Sequence, residues 1–253
     1  FKWERYQFSI RDGFLSTAKY DGPKKRGDWH VNFNTKIQKY YASIFRAARH
    51  YYYLDIKGLR RPPQNDAFSS QMKFRAHDKT NDDDNGNHWQ ARRFFGIDSQ
   101  INMYNPNRKS MELYATAIHE LAHASHWYMH RDGRDFQDTN VKVSESWARG
   151  VEWDLTRMVY SNDESGYLGR SRQINDYTLV VADMLDRGAI EATRINDGYI
   201  NSDNVDFVEN YTIRQIEDAL KGKLTWDDWR LSIFNMFDNN TGNNLELLFD
   251  AYE

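Results

Sequence analysis

The stretch Ala117-Ile-His-Glu-Leu-Ala-His-Ala-Ser-His-Trp127 constrains this chain more than any other. Two histidines four residues apart lie one turn apart on one face of a helix, so His119 and His123 can aim ring nitrogens at a single ion, with zinc as the expected one. Glu120 stands about 100° round the helix from His119. That angle removes it from the ligand stripe but lets it reach a water held at the ion, which is the place for a general base. The surrounding residues predict a helix over positions 111–131, with Ser110 as its cap, Glu112 in its first turn and Gly133 at its end. Met111, Ala115, Ile118, Ala122 and Met129 form its expected buried stripe, and the small Ala122 and Ala124 leave room for another helix to bring in a further ligand.

A catalytic zinc takes three protein ligands and keeps one position for water. The chain has no cysteine, so His, Asp and Glu must supply the third. A glycine at position 126 with a histidine at 129 would return the chain in the metzincin manner. This sequence has His126 and Met129, which continue the helix. The other source is a glutamate on a following helix, and Val143-Ser-Glu145-Ser-Trp-Ala148 supplies Glu145.

On these residues, His119 to Glu152, the chain resembles the gluzincin class of zinc metallopeptidases, in which His-Glu-x-x-His is followed by a glutamate on the next long helix. The resemblance implies an α+β, zincin-like fold with the metal between a sheet-bearing part and a helical lobe. It also implies that His119, His123 and Glu145 bind one Zn²⁺ per chain and that Glu120 is the catalytic base of peptide-bond hydrolysis. In that class the strand before the active helix, 100–104 here, is commonly an edge that pairs with extended substrate. Thermolysin-like members orient the first histidine with an aspartate four residues after the ligand glutamate. Arg149 stands at that position, so Glu152 or Asp154 is expected to take the role. Tyr177 and Tyr211 are candidates for the oxyanion donor, each also readable as an ordinary packing tyrosine.

The rest of the chain reads as support. Alternation around Phe1, Trp3, Phe8 and Ile10 with the turn Arg11-Asp-Gly13 predicts a hairpin over 1–22, and a short strand is expected over 29–33. Ile37, Tyr40, Tyr41, Ile44, Phe45, Ala48 and Tyr51 recur at helical spacing, predicting a helix over 35–54. Strands are expected over 71–76, 88–95 and 100–104, with the Asp/Asn-rich segment 78–87 as a hairpin turn rather than a calcium loop, because it lacks the closing bidentate acid. Helices follow over 143–160, 176–186, 212–221, 225–237 and 244–252. His126 and His130 extend the histidine face and are expected to make polar contacts at a lobe or cleft rim. The basic run from Lys57 to Arg61 is expected to be a solvated loop. The whole of 1–253 is expected to be one catalytic unit, a sheet-bearing part over 1–109 and a helical part over 110–253 carrying the zinc site.

Thirty-four basic against 37 acidic residues give a net charge of −3, which supplies no general attraction for nucleic acid. No run approaches the roughly 18 apolar residues of a membrane span. The chain starts at Phe1 rather than methionine, so a trimmed form that has lost a targeting segment is expected. A faint likeness to secreted bacterial proteins with zinc-peptidase motifs implies a secreted or cell-surface location. The expected partner is a peptide or protein substrate, and the expected state is a monomer. Two other readings use the same residues: a non-catalytic peptide- or glycan-binding protein on a peptidase-like fold, and a zinc amidase acting on cell-wall peptides.

Overall fold

Thr35 and Gln38 start the first long helix. The Thr35 hydroxyl accepts the Gln38 N–H and the Gln38 side chain accepts the Thr35 N–H, both at 3.4 Å, a reciprocal cap that satisfies two N–H groups otherwise left open at a helix start. Helix α1 then runs over Lys36–Tyr53, and Tyr40, Tyr41, Ile44, Ala48 and Tyr51 of the expected stripe are buried. Phe8 of strand β1 (Phe8–Arg11) packs on this helix, its ring centroid 5.3 Å from that of Phe45 and 5.7 Å from that of Tyr52. Aromatic pairs at such distances add to the area they bury.

This computed structural model describes residues 7–20, 26–27, 30–93, 98–130, 134–161, 176–185 and 208–253. They form a mixed α+β fold with a small mixed sheet and several helices. The chain divides into two compact units, Phe1–Leu54 with Arg61–Ala124, and Asp55–Arg60 with Ser125–Glu253.

The first unit holds the sheet. Strands β1, β2 (Met72–Ala76), β3 (Gly86–His88) and β4 (Ile101–Met103) lie in the order β1-β2-β4-β3. β1, β2 and β4 are parallel, and β3 is antiparallel to β4. Four sequence expectations change here. The partner of β1 is β2, with Met72 N–H bonded to Gln7 O at 2.8 Å, and the 1–22 hairpin survives among the described residues only as the bridge between Arg11 and Thr17. Positions 30–33 form no strand, and the rest of the expected strand over 29–33 lies outside the described residues. Segment 78–87 connects β2 to β3 without being a hairpin turn, because β4 lies between those strands. That connection is instead tied to Asn105, whose φ of 58° lets its amide donate to Asn81 O at 2.8 Å and to Asn85 Oδ1 at 2.7 Å. Beyond His88 the chain turns into a short 3₁₀ segment, Gln90–Arg93, where a longer strand was expected. Positions 94–97 lie outside the described residues.

Helix α2 (Ser110–Met129) begins one residue earlier than the sequence suggests. Lys109 O accepts the Leu113 N–H at 3.0 Å and the Glu112 carboxylate accepts the Lys109 N–H at 3.1 Å, so Ser110 is the first helical residue rather than the cap. Its expected end at Gly133 lies outside the described residues. From Leu113 to His126 every residue but Thr116 is buried, which makes it a core helix wetted on no broad face rather than one with a single apolar stripe.

The second unit is helical. The short α3 spans Arg134–Gln137, and Asn140 caps α4 (Val141–Val159) by accepting the Lys142 N–H at 2.8 Å. α4 packs on α5 (Val180–Leu185) at Gly150, where a Cβ would stand 2.3 Å from Val181 Cβ. Helices α6 (Ile213–Leu220), α7 (Trp226–Met236) and α8 (Leu245–Ala251) start and stop within about a residue of expectation, with Thr212 and Thr225 as caps. Trp226, Trp229 and Phe249 close their core, the centroids of Trp226 and Phe249 being 4.7 Å apart. The basic loop is not freely solvated: Lys57 pairs with Asp154, and Arg60 with Glu217 and Asp218.

Candidate metal centre

Among the buried apolar residues of α2 stand buried polar ones. His119 and His123 are each 8% exposed and Glu120 is 5% exposed. Burying three such groups is costly unless each finds a partner. The Nε2 atoms of His119 and His123 lie 3.1 Å apart, with the rings at 81° to each other. Two nitrogens about 2.0–2.1 Å from a tetrahedral metal would be roughly 3.3 Å apart, so the pair is spaced as adjacent ligands are. His119, His123 and Glu145 each offer a ligand atom, and those atoms all lie within 4.8 Å of one another. Among the described residues this is the group of His, Asp and Glu that could hold a metal ion. Its donor set, two imidazoles and one carboxylate, suits a divalent metal ion.

The helix that carries Glu145 is held in place next to it. Ser146 is fully buried, donates to Asp176 O at 3.2 Å and accepts from the Thr178 hydroxyl at 2.8 Å. One turn on, Gly150 admits Val181 against the helix backbone. Glu152 is paired to Arg149 at 2.7 Å and Asp154 to Lys57, which accounts for the charge of both residues expected to stand behind the ligands.

Strand β3 brings two residues that the sequence reading passed over. A Cβ on Gly86 would stand 3.0 Å from Glu120 Oε1, so the edge of the sheet runs across the carboxylate. His88, two residues on and therefore on the same face of the strand, interacts with His123. Desolvation pushes its pKa down to about 4, with His123 adding to the fall and a 2.8 Å bond to Gln90 opposing it. At neutral pH His88 is an uncharged imidazole whose Nε2–H donates to Gln90 Oε1. The period-two spacing of Gly86 and His88 was the available signal, but Asn85-Gly86 reads as turn chemistry in isolation. The same topology corrects the expected edge: β4, the strand before α2, is covered by β3, so β3 is the exposed strand on that side of the sheet.

Of the two tyrosine candidates, Tyr211 is buried with its hydroxyl beside Gly242, among the C-terminal helices. Tyr177 is 41% exposed and stands between Asp176 and Thr178, the residues bonded to Ser146 next to Glu145. His126 and His130 are buried rather than at a rim, their rings 5.0 Å apart and both against Phe136.

Comparison with protein-family models, curated proteins and solved structures finds no match. No helix among the described residues is long and apolar enough to cross a membrane.

Proposed function

We propose that this chain is a zinc-dependent hydrolase of peptide bonds, of gluzincin type. The observation that carries the reading is the convergence of His119, His123 and Glu145 within 4.8 Å, with the carboxylate of Glu120 on the same helix. A bound Zn²⁺ supplies Lewis acidity, polarising a carbonyl and acidifying water toward about 7. Glu120 then accepts the proton of the attacking water and returns it to the leaving amine as the C–N bond breaks, so one carboxylate serves in both steps. Its low exposure favours this shuttle, because a carboxylate screened from bulk water exchanges its proton with the reacting groups rather than with solvent.

Strand β3 supports peptide as the substrate class. Asn85 O accepts from Tyr104 and Trp89 N–H donates to Gln100 O, so the intervening Gly86 and His88 direct their carbonyls away from β4. An extended chain laid beside β3 would find those acceptors next to Glu120, and strand addition is a common mode of peptide recognition. Digesting a mixed peptide library with zinc-loaded protein tests the proposal. Cleavage that a chelator stops and zinc restores is the expected result, and an intact library with the protein fully zinc-loaded refutes it.

A further inference from the structure

Gly86 is not a glycine for the sake of its backbone. The left-handed glycines among the described residues are Gly27, Gly58 and Gly222, and Gly86 is in strand geometry open to any residue. What excludes a side chain there is space. A Cβ would lie 2.9 Å from Thr116 Cγ2, 3.0 Å from Glu120 Oε1 and 3.1 Å from Glu120 Cγ.

Two sides of that space are pinned. The Thr116 hydroxyl donates to Glu112 O at 3.0 Å, which locks its rotamer and keeps its methyl facing the strand. Gly86 N–H donates to Asp84 Oδ1 at 3.0 Å, and Gly86 pairs in register with Met103 of β4, so the strand cannot retreat. The Glu120 side chain, with three rotatable bonds, is the side that yields.

We propose that Gly86 is a positioning residue for Glu120: the side chain it lacks is the space in which the carboxylate is held at the metal group. This rests on Glu120 being the base. It implies that Gly86→Ala displaces the base and leaves His119, His123 and Glu145 where they are. A misplacement of about 1 Å costs up to about 100-fold in rate.

The test combines kinetics with a melting cycle on the full chain. Zinc-loaded Gly86→Ala should keep its zinc and its KM while kcat falls roughly 10- to 100-fold. Its melting temperature should fall by roughly 2–10 °C, and by less when introduced into Glu120→Ala, where Oε1 and Cγ are gone and only the contact with Thr116 Cγ2 remains. If Gly86→Ala fails to fold alone but folds beside Glu120→Ala, the contact is supported equally. Additive melting shifts, failure to fold in both backgrounds, or an unchanged kcat would each overturn the proposal. An inactive wild-type protein refutes the peptidase reading instead, and the melting cycle then decides the contact without it.

Discussion

The Nε2 atoms of His119 and His123 meet at 3.1 Å inside a helix that is buried almost all round. Two desolvated imidazoles turned toward one point are stabilised by a shared cation, and that cation adds its binding free energy to folding. Purified protein should therefore hold about one zinc per chain. At a free zinc concentration 100-fold above its dissociation constant the gain is about 2.7 kcal/mol, so chelation should lower the melting temperature by roughly 5–10 °C. Elemental analysis with paired thermal melts checks this, and a melting temperature indifferent to chelator contradicts it.

Glu145 and Glu152 lie on one helix, seven residues apart, but only Glu145 belongs to the metal group, while Glu152 is paired to Arg149. Glu145→Ala should abolish zinc retention through gel filtration. Glu152→Ala should weaken it by no more than about 10–100-fold, the range for groups that act behind a ligand. Zinc titrations of the two variants give the ranking, and the reverse order would move the ligand to Glu152.

Gly150 is a second glycine kept for space. Its missing Cβ lies 2.3 Å from Val181 Cβ and Cγ1, atoms close to the backbone that cannot swing aside. Gly150→Ala should therefore push α5 off α4 and destabilise the protein by at least about 1–3 kcal/mol, the usual cost of overpacking. Urea denaturation measures it, and a midpoint equal to wild type would contradict the close packing of α4 on α5.

Glu217 should make stability depend on pH. Burial raises its pKa to about 7, outweighing the Arg60 N–H at 2.9 Å and the guanidinium groups of Arg60 and Arg214, which act to lower it. The folded protein thus holds a proton that the unfolded chain, with its ordinary value of 4.5, gives up earlier. The contribution is fully present below about 4.5 and is lost as pH rises toward about 7. It amounts to a few kcal/mol, on the order of 1.4 per pKa unit. Denaturant titrations at pH 4.5 and 7.5 should show this loss in wild type and not in Glu217→Gln. Equal pH dependence in the two proteins would contradict the shift.

How much of this was legible beforehand follows the range of the forces involved. The ends of α1, α6 and α7 were readable to about a residue because Thr35, Thr212 and Thr225 cap them through bonds within three positions. The histidine pair on α2 was readable for the same reason, its spacing being a property of one helix. The sheet was not. Whether β3 or β4 lies at the edge depends on residues far apart in sequence, and the local alternation around Ile101 is the same in either order. Gly86 and His88 were missed with it, since their meaning comes from the helix they face and not from their neighbours. The loop from Lys57 to Arg60 was misread as solvated because its partners Asp154, Glu217 and Asp218 lie about 100 or more positions away.

Glu120→Gln isolates the role of the carboxylate, because it keeps the shape of the side chain and removes its basicity. Zinc content and melting temperature should match wild type, since the His119, His123 and Glu145 group is untouched. Cleavage of a peptide library should fall by about 10²–10⁴, toward the upper end because the same carboxylate both takes and returns the proton. A wild-type protein that cuts the library, compared with a fully zinc-loaded Glu120→Gln that cuts it equally fast, would contradict the assignment of Glu120 as the base and with it the mechanism proposed for this site.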